Sequence, residues 1–525
     1  MMEPTAKEGA GRPLSSPAPV SPANAAAPDP LAALPGPRRV WGWAAVLSYP
    51  LAWFYTRVLV FGSGTWPWAV FPLLYMAAVL AMARALGRKA GGNAPFWGAC
   101  WVLQGLAAAL WGAHAGPLGI CQGLAWHLTA IYWTLAATGM QAAGRANAMV
   151  LLDGVAGLFT LPFGNFLLRL QLLWRGLKGA YRRRAGRMGP DRRRRRWELA
   201  AGLVLALLLG GYALGELSAA DAGFGALMDR WLRWPRLDDR TLVRLFEQAF
   251  YLALSLPVGA WLFGLAGGGL RRKAPPVAEA QVYAWLGRCP RLPRLTARLA
   301  VGGLCLVYAL FFAVQAAEFA AALGAPVPLT PLEVSTFAVE GFWQLCRILL
   351  LNFAVLAAVH FLCPCPADAP GRDRAGLAVF AGFGLAFAAL AAAKLGLYIA
   401  LYGPTPRRIL SAWFLMVLGL GCVLALVRLF RRIQAVRITV AVLALSFSLL
   451  CCADLEGLCV NVHLDRLAAG QTQTVDWLLL GGCCDWGGRQ ELTARVRDRL
   501  RTLDLPAEDS QDEWACQDWL WQEES

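Results

Sequence analysis

Charged residues make up only 16% of this chain of 525 residues, and histidine occurs just four times. Soluble domains carry about 25% charge, so the composition argues against a soluble globular enzyme. The histidines, His114, His127, His360 and His463, are too widely spread for a zinc-ligand spacing. His463 and Asp465 could contribute metal ligands but read as a polar surface turn. The sequence has no G-x-x-x-x-G-K-[ST] phosphate loop, no H-E-x-x-H and no strand-to-helix G-x-S-x-G elbow. No catalytic residue, metal or cofactor is therefore expected. Cysteine, at 14 residues, is too sparse for a disulfide scaffold.

What is abundant is apolar surface. The chain is 58% hydrophobic, with 23 Trp and a mean hydropathy of +0.48. These values exclude disorder over most of the length and point to a polytopic membrane protein. About 20 apolar residues in a helix cross the hydrocarbon. Such stretches fall near 40–61, 66–86, 95–115, 118–139, 198–217, 244–268, 299–323, 341–362, 376–400, 409–428 and 436–453. They are continuous and lack the alternation of barrel strands, so the spans are helices. The expected fold is an all-α bundle of about eleven spans.

Positive charge orients it. Lys and Arg number 49 against 33 Asp and Glu, and twelve of the bases lie between Arg169 and Arg196 beside the single acid Asp191. Such a block marks a cytoplasmic loop, which can also touch anionic lipid; nucleic acid is not an expected partner. Arg38, Arg39, Arg84, Arg88, Arg145, Arg271, Arg272, Lys273, Arg428 and Arg437 join it on that side. The pattern agrees with itself only if 148–167 does not cross. That segment has basic flanks, contains Asp153 and is broken at Pro162-Phe163-Gly164-Asn165, so it reads as an interfacial or re-entrant helix.

Three regions follow. Residues 1–39, with nine Pro and nine Ala and no signal-length apolar stretch, form a disordered cytoplasmic tail. Residues 40–453 are the membrane domain. Residues 454–525 form a small extracytoplasmic tail, whose end after Arg501 holds eight acids and no base. Cys451, Cys452, Cys459, Cys483, Cys484 and Cys516 fall at or beyond the outer face, where disulfides can form. Vicinal pairs bridge poorly, so any pairing is expected between the first three and the last three.

Ionisable residues inside spans are costly and are functional or paired. Glu318, Glu340, Arg347 and Lys394 lie at similar depth toward the outer side of three consecutive spans. They are expected to form one polar cluster, either a binding site opening outward or internal ion pairs. Tyr398 and Tyr402 share a helix face with Lys394.

The stretch Glu340-Gly341-Phe342-Trp343-Gln344-Leu345 resembles an E-G-F-[FW]-x-L start of a span. Lys394-x-x-x-Tyr398-x-x-x-Tyr402-Gly403-Pro404-Thr405-Pro406-Arg407 resembles a [RK]-x-x-x-Y-x-x-x-Y-G-x-T-x-x-R segment, with the final base at Arg407 or Arg408. With Tyr308, Phe312 and Gln315 these motifs are similar to a bacterial family of polytopic inner-membrane proteins classed as a domain of unknown function. The resemblance implies a bacterial cytoplasmic-membrane protein and no reaction. It adds Arg407 to the candidate binding set. Transport or an envelope role, a membrane-embedded enzyme on a lipid-linked substrate, and a non-catalytic scaffold or sensor all remain open.

Overall fold

The computed structural model describes residues 31, 34–62, 64–112, 116–186, 190–221, 223, 239–288, 292–324, 331–363, 371–471, 479–480 and 490–502. Helices account for nearly all of them, and no strand occurs among the described residues. The expected tail 1–39 lies almost wholly outside them, as does the acidic ending.

The first half is built from α1 (Arg38–Trp53), α2 (Pro67–Ala85), α3 (Ala94–Trp111), α4 (Gly116–Thr138), α5 (Val150–Val155), α6 (Leu161–Gly164), α7 (Leu168–Gly186), α8 (Pro190–Ala220) and α9 (Asp239–Arg271). A π-helical turn, Phe54–Val60, prolongs α1, and a second, Ala156–Thr160, joins α5 to α6. The second half contains α10 (Glu279–Leu286), α11 (Arg294–Gly324), α12 (Pro331–Leu362), α13 (Gly371–Tyr402), α14 (Pro406–Phe430), α15 (Ala435–Cys452), α16 (Leu455–Ala468) and α17 (Gln490–Thr502).

Among the described residues, eight stretches are long and apolar enough to cross a membrane: 67–85, 150–183, 243–271, 294–317, 341–362, 373–402, 406–430 and 435–452. Seven of them coincide with expected spans. The other expected spans fall on α1 with its π turn, on α3, on α4 and on the apolar stretch Ala201–Leu217 of α8. The α3 helix also carries a buried polar contact. Its Gln104 is buried and donates to Thr129 Oγ1 at 3.3 Å and Ser448 Oγ at 3.0 Å, so it faces protein rather than lipid.

The stretch 150–183 includes the segment expected not to cross. By length and composition it qualifies, but it is interrupted by a π turn and by the turn at 165–167. Its first part packs on the last turns of α4 and α9. Asp153 accepts from Ala142 N at 2.7 Å and Tyr132 Oη at 3.1 Å. Trp261 Nε1 donates to Leu158 O at 3.3 Å. A Cβ on Gly264 would stand 2.5 Å from Pro162 O, so the two backbones meet where no side chain intervenes. Leu168 then joins Trp41 and Leu270 in one apolar cluster, and the buried Arg169 donates to Ala45 O at 3.3 Å.

Two cores result. Phe71, Tyr75, Trp97, Trp101, Trp126 and Trp133 form an aromatic core in the first half. In the second, α13 is the hub. Its Phe380 and Phe387 pack with Leu345 and Leu349 of α12, Leu415 and Leu418 of α14, and Tyr308 of α11, whose hydroxyl donates to Asn352 Oδ1 at 2.8 Å. The bridge is α15, which packs on both α14 and α3. Trp111 Nε1 donates to Cys452 O at 2.9 Å across this junction.

Candidate functional site

A cluster of polar side chains lies at the end of α13. Lys394, Tyr398 and Tyr402 are spaced four apart and so share one face. The helix stops after Tyr402 because Gly403 takes φ +77° and Pro404 and Pro406 follow. Thr405 then caps α14, its Oγ1 accepting from Arg408 N at 3.3 Å.

A helix end leaves its last carbonyls without partners. Here guanidinium groups take them. Arg408 donates to Tyr402 O at 3.0 Å and also to Gly403 O. Arg466, from α16, donates to Ala400 O at 3.1 Å and Leu401 O at 3.0 Å. His463 Nε2 donates to Pro404 O at 3.0 Å. These bases also complement the negative end of the α13 dipole. The Arg408 guanidinium lies 4.2 Å from the centroid of the Tyr398 ring and 5.9 Å from that of Tyr402. A Cβ on Gly403 would stand 2.6 Å from His463 Cε1, so α16 rests directly on the turn. Asp465 meets Arg499 of α17 at 2.7 Å, carrying the contact outward.

The arrangement is therefore a latch between the membrane bundle and the segment beyond it. Its bases are spent on backbone carbonyls and aromatic faces. Among the described residues no group of three His, Cys, Asp or Glu could hold a metal. His463 and Asp465 both act in the latch.

Two members of the expected four-charge cluster, Lys394 and Arg347, have described side chains. Lys394 is half-buried, and its Nζ lies 2.9 Å from where a Cβ on Gly341 would stand. It therefore lies against the turn that begins at Glu340. Arg347 is exposed, on the side of α12 that carries Trp343, Leu350 and Leu351. Phe342, Leu345 and Leu349 occupy the side facing α13, so Arg347 and Lys394 do not share a surface. The side chains of Glu318 and Glu340 lie outside the described residues. Of the two adjacent arginines, Arg407 is exposed and Arg408 is the one engaged with the tyrosines.

Cys452 and Cys459 are free thiols, and Cys451 and Cys459 are buried. Burial pushes the Cys459 thiol up to about 12, which keeps it protonated and unreactive at neutral pH. Cys483, Cys484 and Cys516 lie outside the described residues.

Sequence reasoning passed over Arg408, His463 and Arg466 as a set. The available signal was a run of bases just after a Gly-Pro helix stop, with a second helix of mixed character following the last span.

An all-α bundle with eight membrane-length apolar helices defines a polytopic integral membrane protein. Residues 98–481 match the family described as Domain of unknown function (DUF4153), and the chain belongs to that family. No curated protein and no solved structure matches it.

Proposed function

We propose that this protein is a non-catalytic scaffold of the bacterial inner membrane, joining a multi-span bundle to a small extracytoplasmic segment. The observation that carries the reading is the latch. Arg408 of its most distinctive motif, with Arg466 and His463 of α16, binds carbonyls of its own chain, which supports a structural joint rather than a reacting group. On this reading Lys394→Met mainly reduces the amount of protein in the membrane, because a packed polar contact beside Gly341 is lost. Quantitative blotting of membranes from a deletion strain carrying the variant reads this. Normal abundance with failure to restore the deletion phenotype would instead assign Lys394 to a substrate site.

The proposed orientation is amino terminus inside and carboxyl terminus outside, with 150–164 re-entrant. The support is the alternation of basic loops and the packing of that segment on the ends of α4 and α9. Thr138 at the end of α4 stands against Gly269 at the end of α9, so those ends lie at one level. A reporter that fluoresces only in the cytoplasm should stay dark when fused after Ser525. Cysteines placed at positions 145 and 185 should both resist an impermeant label in intact cells. Labelling of one alone makes the segment a crossing span, and a bright fusion inverts the map.

A further inference from the structure

A pocket of about 470 Å³ opens where α1 ends, between the loop into α2 and the early turns of α9. Trp53, Arg57, Gly62, Trp66 and Gln248 are among its lining, and Arg57 is the one charged residue there among the described residues. Arg57 belongs to the π-helical turn Phe54–Val60, a distortion of a kind frequent at functional sites. The chain then folds back on this turn. A Cβ on Gly62 would stand 2.1 Å from Val58 O, so the loop rests directly on the turn that carries Arg57.

The polar groups of the pocket are donors in search of an acceptor. The Arg57 guanidinium lies 4.6 Å from the centroid of the Tyr251 ring. Its approach to Glu247 Oε1 is 3.8 Å, beyond hydrogen-bond reach, and that oxygen accepts instead from Tyr251 Oη at 2.9 Å. Among the described residues, none of the five guanidinium N–H groups makes a hydrogen bond. The Gln248 amide and the Trp66 indole N–H make none among them either. The Arg57 side chain is 31% exposed, so its charge can be reached from outside.

Position says what can reach it. Arg38 and Arg57 are 19 residues apart along α1 and its π turn, about 28 Å at about 1.5 Å per residue. That is close to the hydrocarbon thickness, so the two arginines stand at opposite headgroup levels. Trp66, an exposed tryptophan at the end of a span, marks the same boundary. Exposed Val60, Phe61, Phe246 and Phe250 form an apolar surface beside Arg57, with the Phe61 ring 6.2 Å from that of Phe250 and 5.2 Å from that of Tyr251.

We propose that this pocket binds the phosphodiester headgroup of a membrane phospholipid. A guanidinium flanked by neutral donors suits a tetrahedral oxyanion. The bilayer itself supplies that anion at the level of Arg57, and the apolar surface beside the pocket takes the acyl chains. The site is independent of the latch and requires only binding.

The test titrates the purified full chain in detergent with dioleoyl phosphatidylglycerol and counts bound lipids by native mass spectrometry. Binding of the tightest lipid should weaken roughly tenfold in Arg57→Gln. Gln248→Leu removes a neutral donor and should weaken it roughly threefold, which reads the proposal even if Arg57→Gln fails to fold. Arg437→Gln, at an exposed arginine at the start of α15, is the charge control and should change nothing. Dioleoylglycerol, with the same chains and no phosphate, should not compete, and inorganic phosphate should not displace the lipid. Unchanged binding in both pocket variants, or an equal loss in Arg437→Gln, would overturn the site. Equal competition by dioleoylglycerol would overturn the phosphate assignment, and displacement by inorganic phosphate would overturn the lipid in favour of a soluble anion.

Discussion

Arg408→Ala should lower the stability of the folded protein by about 2–4 kcal/mol, whereas Arg407→Ala should change it by no more than about 0.5 kcal/mol. The two residues are adjacent and chemically identical, so the contrast isolates geometry from charge. Arg408 makes hydrogen bonds to two carbonyls at the end of α13 and covers the Tyr398 ring. Hydrogen bonds to charged groups contribute about 1.5–3 kcal/mol, and a partly desolvated cation over an aromatic ring about 1 kcal/mol more. Removing the guanidinium also leaves helix-end carbonyls without partners. Arg407 is exposed, and exposed substitutions away from special features have small effects. The midpoint of denaturant unfolding in detergent, read by tryptophan emission, measures both. Equal shifts for the two variants would remove the latch from any structural role.

Gly264→Ala should be the more disruptive change in the first half, costing about 1–3 kcal/mol net. A methyl at this position would sit 2.5 Å from Pro162 O and 3.2 Å from Pro162 Cα. Those atoms are backbone and cannot rotate away, so α6 must move off α9. The intrinsic gain of Ala over Gly in a helix, about 1 kcal/mol, works in the opposite direction and is overcome. Gly302→Ala in α11 is the control, because nothing lies within 4 Å of the added methyl there. It should be neutral or slightly stabilising. Thermal denaturation followed by size-exclusion recovery distinguishes them, and a Gly264→Ala protein as stable as the Gly302→Ala protein would refute the close approach.

These two sites also show what the sequence could and could not reveal. The α13 stop was legible, because Gly403 and its flanking prolines are local signals, and so was the shared face of Lys394, Tyr398 and Tyr402. Which arginine turns back onto that face was not legible. The choice depends on the exit angle of α14, set by the Thr405 cap and by the seat of α16. Arg347 was expected on the side of Lys394, whereas it lies on the exposed side of α12. Depth follows from counting residues, whereas azimuth depends on which neighbour claims the opposite face. The hub position of α13 between α11 and α12 is tertiary information. A cavity of about 270 Å³ in the first half left no sequence signal at all. Its residues come from α2, α3, α4, α9 and both π turns, and aromatic residues in apolar helices are ordinary.

The bridging role of α15 has a consequence for biogenesis. Gln104 finds its partner Ser448 only across 344 residues of chain. At ribosomal speeds of about 5–20 residues per second, α3 is inserted roughly 17–70 seconds before α15 emerges. Throughout that interval the amide of Gln104 lacks its late partner, and the side of α3 that α15 will cover faces lipid or an insertion factor. A chain truncated after α14 is thus a half-finished first bundle as well as an unfinished second one. Quality-control proteases of the membrane would meet it with the Gln104 amide held by Thr129 alone.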